Sequence, residues 1–306
     1  MFLNFILIIV IFLISFISLK VIKPLLRKYI LDKPNNRSSH SIPTPKAGGI
    51  IFSLYSSIAG YLIGSYEFLY CLPIAILGFF DDLYNIKPHY RYFFQFLISG
   101  FVVNLSITQY ISKESWIYYF LFLFFTFIAT AYINLTNFMD GLDGLVSGCL
   151  LIILISFIFY SNLNLLPIVA SLFAFLIFNW SPAKIFMGDT GSTFLGLLFF
   201  NLTFNSGDIY IFLAFALINT PLFGDSAICI VKRFIDGQNI FKPHKLHLYQ
   251  RMYSAGWNKS LIAFLYMINT FILFLIYHFF GFNLLILGSS LTLILGIYIN
   301  QKHAFS

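Results

Sequence analysis

WIYYFLFLFFTFIATAYINLTNFMDGLDGL, residues 116–145, decides the fold. No charged side chain precedes Asp140 in it, and the run is long enough to cross the roughly 30 Å hydrocarbon core of a bilayer. A membrane-spanning helix is therefore expected over 116–134. Polar side chains then recur every third position, at Asn134, Asn137, Asp140 and Asp143. On a regular α-helix each step of three turns the side chain by about −60°, so only neighbouring members share a face. Gly141 and Gly144 loosen the helix end and let backbone approach a ligand. A plain connecting loop has no need of amides and acids in that register.

The same reading extends to the rest of the chain. Its 306 residues are 59% hydrophobic and only 9% charged, where a soluble domain carries about 25% charged residues. Mean hydropathy is +0.88. Further spans are expected near 2–22, 48–66, 67–80, 93–111, 144–161, 164–180, 192–206, 209–231, 260–280 and 284–300. The fold class is thus an all-α polytopic membrane protein of 10–11 transmembrane helices, 11 by this count. No polar block is long enough to fold separately, so residues 1–306 form one membrane domain. The first run lacks a positive leader and a small-residue cleavage site, and is read as a retained helix.

Eleven spans with the N-terminus outside put 23–47, 81–92, 135–143, 181–191, 232–259 and 301–306 on the cytoplasmic side. These segments and Lys20 hold 17 of the 18 Lys and Arg residues, and only Lys113 is left outside. That asymmetry is the positive-inside signature. It also explains the net charge of +7 without a nucleic-acid partner. Eight of the 11 acids fall on or near the same side: Asp32, Asp81, Asp82, Asp140, Asp143, Asp189, Asp225 and Asp236. Acids near hydrocarbon are costly and tend to be paired, hydrated or functional. The active face is therefore expected at the cytoplasm.

Three more polar islands carry chemistry. GFFDDLYN, 78–85, followed by Pro88 and Arg91, sets Asp81 and Asp82 side by side. Adjacent carboxylates stay ionised together only beside a cation, and carboxylates with substrate phosphates are the usual Mg²⁺ environment. The alternative is a solvated helix end. NWSPAKIFMGDTGS, 179–192, offers Lys184, Phe186, Gly188 and Asp189 ahead of an apolar helix whose N-terminus suits a phosphate. HKLHLYQR, 244–251, brings His244, His247 and Arg251. His-x-x-His can bind zinc, but no Cys or third His stands at suitable spacing in sequence, so cationic phosphate recognition is the more natural reading. Cys71, Cys149 and Cys229 lie in apolar runs and read as small buried hydrophobes. The Pro-rich connector 34–49 adds Lys46 before Gly48-Gly49.

In content and order these islands resemble the polyprenyl-phosphate N-acetylhexosamine-1-phosphate transferase superfamily, from Pro34 to Arg251. NLTNFMDGLDGL at 134–145 and PAKIFMGDTGS at 182–192 are the most specific parts. The resemblance implies that Asp81 and Asp82 are the catalytic aspartate pair, that Asp189 binds magnesium and that Asn137 lies near the metal. It implies substrate-binding roles for Lys46, Asn134, Asp140, Asp143, Lys184, Phe186, Gly188, His244, His247 and Arg251. The last loop, with Gly256-Trp257 after it, looks like the O-antigen-initiating branch, which uses UDP-linked N-acetylated amino or deoxyamino sugars. Asp225 also resembles that branch, and a buried acid paired with a loop base is an equal reading.

The implied reaction is attack by undecaprenyl phosphate on the β-phosphorus of a UDP-N-acetyl-aminosugar, releasing UMP, with Mg²⁺ as cofactor and Mn²⁺ as its substitute. It would begin a lipopolysaccharide O-antigen or a related envelope glycan at the inner face of a bacterial cytoplasmic membrane. A homodimer is a permitted assembly. The polyprenyl chain calls for a groove between helices, and the 40 Phe residues are candidates to line it. The alternative from another class is a transporter or proton-coupled carrier, which needs acids at mid-membrane and polar groups leading to both faces.

Overall fold

Pro73, Pro88, Pro167 and Pro221 stand in the first turns of four helices, and Ser115, Asp208 and Asn258 cap three others through a side-chain oxygen. The computed structural model describes residues 2–34, 39–161, 164–238 and 244–302. Arg37 and Lys242, counted above among the inside bases, lie outside the described residues. In chain order the helices are α1 (Phe2–Tyr29), α2 (Gly49–Leu62), α3 (Glu67–Tyr70), α4 (Leu72–Tyr84), α5 (Pro88–Ile107), α6 (Trp116–Met139) and α7 (Leu145–Phe157). They continue as α8 (Leu166–Asn179), α9 (Gly188–Phe204), α10 (Ile209–Ile218), α11 (Thr220–Ile235), α12 (Leu248–Ser254), α13 (Lys259–Phe280) and α14 (Phe282–Lys302). The strands β1 (Leu31–Asp32) and β2 (Thr44–Pro45) form one short antiparallel ladder.

Each apolar run overlaps one helix or a pair of helices. Two runs break. The run at 67–80 is α3 followed by α4, whose first turn holds Pro73 and whose end carries on through Asp81 and Asp82 to Tyr84. The aspartates therefore lie on a last helical turn, closed by Asn85 in the left-handed region (φ 51°). The run at 209–231 divides at Asn219 into α10 and α11, bent by 76°. Pro221 sits in the first turn of α11, where a missing N–H costs nothing. Helix α12 was not anticipated.

Four helices are long and apolar enough to cross a membrane: Ile6–Tyr29, Trp116–Met139, Lys259–Phe280 and Phe282–Lys302. The bent α10–α11 pair makes a fifth among the described residues. Helices α2, α7 and α8 are apolar but have only 14, 13 and 14 residues. Large apolar side chains such as Leu62, Trp116, Phe127 and Leu287 face outward, as a lipid-facing surface requires.

Helix α9 is the centre. Thr190 through Thr203 are all buried, and α9 packs most extensively on α4 and α6. In lipid such packing is driven by close contact rather than by expulsion of water, so small residues matter. At Gly78 a Cβ would collide with the Asp189–Thr190 backbone, and at Gly49 with Gly191. These contacts bring the ends of α2, α4 and α9 to one point.

Candidate active site

The N-terminus of α9 is closed by an acid from another helix. Asp82 accepts hydrogen bonds from Asp189 N–H at 3.2 Å, Thr190 N–H at 3.1 Å and the Thr190 hydroxyl at 2.7 Å. Lys46 Nζ stands 3.4 Å from the same carboxylate, whose side chain is only 2% exposed. The first N–H groups of a helix have no partner within it and carry positive partial charge, so a carboxylate there is stabilising.

Asp81 points elsewhere. It accepts from Ile86 N–H at 2.7 Å and from Arg91 Nη1 at 3.0 Å. The same Nη1 donates to Asp189 at 3.1 Å, so one guanidinium ties α5 to both acids. The other oxygen of Asp189 accepts from Asn137 Nδ2 at 2.6 Å, and that amide also donates to Ser192 Oγ at 2.9 Å. Arg91 Nε remains buried with no partner.

The two glycine-bearing islands are laced together by backbone. Phe186 N–H donates to Pro45 O, Gly48 N–H to Phe186 O, and Gly49 N–H to Met187 O. Lys46 is thereby fixed beside Gly188. Between these segments and the end of α6 lies a polar cavity of about 250 Å³. Its walls include Lys46, Asp82, Asn137, Asp140, Asp143, Phe186, Gly188 and Asp189. Burial, and then the charges of Asp189 and Asp82, push the Asp140 carboxyl well above the usual range. Asp143 is paired with Lys259 at 3.3 Å and accepts from Ala183 N–H at 3.2 Å, which pins the 182–186 turn.

Eight of the sequence candidates thus share one cavity, and Asp81 reaches it through Arg91. The others do not line it. Asn134 donates to Gln95 Oε1 and Thr130 O, inside the contact of α5 with α6. Lys184 is exposed on the turn. His247 is 3% exposed and lies 3.6 Å from Asp225. His244 is pushed down to about 4 by burial, and then by His247 and Arg233, so it is a neutral imidazole rather than a cation for phosphate. Arg251 borders a second cavity of about 670 Å³ between α11, α13 and α14. Leu and Ile are the commonest residues in its wall, beside Asp225, Lys232 and Arg233.

Sequence reasoning passed over three partners. Arg91 stood in the first island without a role, although it reaches an acid 98 positions away. Lys259 and the Asp32–His40 pair, 3.7 Å apart with the His40 ring against Phe186, carried no local signal. Spacing also argued against a cysteine near His244, yet Cys229 Sγ lies 3.9 Å from its Nδ1, because the packed chain returns His244 to α11.

The description "Glycosyl transferase family 4" matches residues 66–207. A Bacillus subtilis protein named probable undecaprenyl-phosphate N-acetylglucosaminyl 1-phosphate transferase is 28% identical, over 87% of this chain and 85% of its own length. A Fervidobacterium nodosum phospho-N-acetylmuramoyl-pentapeptide-transferase is 29% identical, over 78% and 83%. A Thermotoga maritima undecaprenyl-phosphate alpha-N-acetylglucosaminyl 1-phosphate transferase is 28% identical, over 81% and 82%.

Proposed function

We propose that the chain acts as a polyprenyl-phosphate hexosamine-1-phosphate transferase, as its resemblance to such enzymes supports, and that it transfers an N-acetylated amino- or deoxyamino-sugar 1-phosphate from a UDP-sugar to undecaprenyl phosphate, releasing UMP. The observation that carries this reading is the polar cavity at the start of α9, where Lys46, Asp82, Asp140 and Asp189 converge. We take the step to initiate an O-antigen or related envelope glycan, with eleven crossings, the N-terminus outside and the cavity open to the cytoplasm. The distribution of Lys and Arg supports that orientation.

An oxygen of the lipid phosphate forms a bond to the β-phosphorus of the UDP-sugar. The bond from that phosphorus to the oxygen shared with UMP breaks, and UMP leaves with the electron pair. An anion attacks an anion, so the barrier is largely electrostatic. Lys46 offers a cation on the cavity wall, and the unpaired Arg91 Nε is a second donor beside Asp189. Asp82 is engaged by four donors and acts by holding α9 and Lys46 in place. No strong base is required, because a phosphate monoester, with a second pKa near ~6, is mostly ionised at neutral pH.

The donor set fits a hard divalent cation. Asp82, Asn137, Asp140 and Asp189 offer oxygen, and His40 is the one imidazole among the residues that line the cavity with them. Formally, Asp81, Asp82, Asp140 and Asp189 face the bases Lys46 and Arg91, and the excess is the charge of one divalent ion. Asp189 and Asp140 would hold it, with the substrate diphosphate filling further positions. Bound there, Mg²⁺ or Mn²⁺ supplies charge neutralisation of the diphosphate.

Purified protein in detergent with undecaprenyl phosphate, Mg²⁺ and a panel of UDP-sugars should release UMP from at least one of them. No UMP from any UDP-sugar overturns the assignment.

A further inference from the structure

Cys229 is the only cysteine among the described residues that faces histidine. It is buried on α11, and its Sγ lies 3.9 Å from His244 Nδ1. The rings of His244 and His247 stand 5.0 Å apart. One donor atom from each of the three residues falls within 4.8 Å of the others. A tetrahedral zinc ion with bonds of ~2.3 Å to sulfur and ~2.0 Å to nitrogen separates those atoms by about 3.5 Å. The observed spacing is therefore within a few tenths of an ångström of a coordinating one for the Cys229–His244 pair.

We propose that Cys229, His244 and His247 form a binding site for a soft divalent cation of the zinc class, separate from the oxygen-lined cavity.

Three features support the site. His247 is only 3% exposed, and its Nδ1 is turned towards Asp225 rather than solvent. Asp225 stands 3.6 Å from that nitrogen and is itself held by Leu248 N–H at 2.8 Å and the Tyr266 hydroxyl at 2.8 Å. A carboxylate behind a ligating imidazole fixes ring orientation and raises its basicity. A Cys229 thiolate would supply one of the two negative charges that a divalent ion calls for, and Asp225 the other. The bases Lys232, Arg233 and Arg251 lie along the neighbouring cavity with them, and Arg233 is engaged with Gln238 at 3.3 Å.

Binding forms a metal–sulfur bond and releases the thiol proton to solvent. Three protein donors leave the fourth position for water. The ion would hold His244 and His247, at the start of α12, against Cys229 on α11. Helix α12 carries Tyr249, whose hydroxyl donates to Phe138 O at 3.3 Å, and Gln250, which lines the polar cavity. The ion thus secures one wall of the active site without touching substrate.

The test is metal binding by the full chain, purified with a tag free of histidine. Wild type should bind about one equivalent of Zn²⁺, with a thiolate charge-transfer band on replacement by Co²⁺. Cys229→Ser should lose the band and at least about tenfold in affinity. Cys71→Ser and Cys149→Ser should keep both, and excess Mg²⁺ should not compete. Size-exclusion behaviour and thermal midpoint report folding of each variant. If Cys229→Ser destabilises the chain, His244→Ala supplies the same comparison. A Co²⁺ complex without the band, or undiminished Zn²⁺ binding by folded Cys229→Ser, overturns the proposal.

Discussion

Thr190 donates twice to Asp82, through its amide at 3.1 Å and its hydroxyl at 2.7 Å. An acid at the end of α4 thereby caps α9, and Lys46 leans on the same carboxylate. Asp82→Asn keeps the shape but removes the charge and turns an NH₂ group towards donors. Its expected cost is about 1–3 kcal/mol of stability, read as a lower thermal midpoint, with turnover down by ~100-fold. Thr190→Val deletes the hydroxyl alone, for about 1 kcal/mol, and should leave turnover within a few-fold. Equal losses of turnover in both variants would mean that Asp82 contributes only its cap.

Arg91 gives a sharper separation between charge and geometry. Its Nη1 serves Asp81 and Asp189 together. Lysine keeps the charge but not the planar fork. Arg91→Lys should lower kcat by about tenfold or more while KM for the UDP-sugar changes little, the signature of a contact used in the transition state. A rise in KM with kcat intact would instead make Arg91 a ground-state binding residue.

These contacts mark where the sequence was readable. Span positions follow from apolar runs, which one chain displays without any partner. The break at Asn219 escaped notice because Asn219, Thr220 and Pro221 are a brief polar interruption inside a long apolar run, and the run was read across it. Asn137, Asp140 and Asp189 were legible because motif and helix end coincide. Asn134 followed the same three-residue register yet turns to Gln95, as a helix rotating about −60° per step dictates. His244 and His247 looked cationic beside Lys245 and Arg251. Burial decides otherwise for His244, followed by the charges of His247 and Arg233, and burial is a property of the packed chain.

Asp189 is the residue on which the proposed cation depends most. Its two oxygens accept from Arg91 and Asn137, and an ionised carboxylate retains further lone pairs for a metal. Chelation with EDTA should abolish UMP release, and Mg²⁺ or Mn²⁺ should restore it. Asp189→Asn should lower turnover by about 100-fold or more and raise the Mg²⁺ concentration needed for half-maximal rate. Unchanged turnover and magnesium dependence in Asp189→Asn would remove it from the metal site.

Asp140 predicts a pH dependence whose sign is fixed by its surroundings. Burial, Asp189 and Asp82 raise its carboxyl well above the usual range. The folded chain therefore keeps a proton that the unfolded chain has lost once pH passes about 3.9. Where the folded state binds more protons, stability falls as pH rises, and the fall continues up to the raised folded value. In EDTA, the thermal midpoint in detergent should drop from weakly acidic towards neutral pH. Asp140→Asn should flatten that slope. Saturating Mg²⁺ should flatten it too, since a nearby cation favours the ionised carboxylate. An identical slope in wild type and Asp140→Asn would assign the effect to other groups.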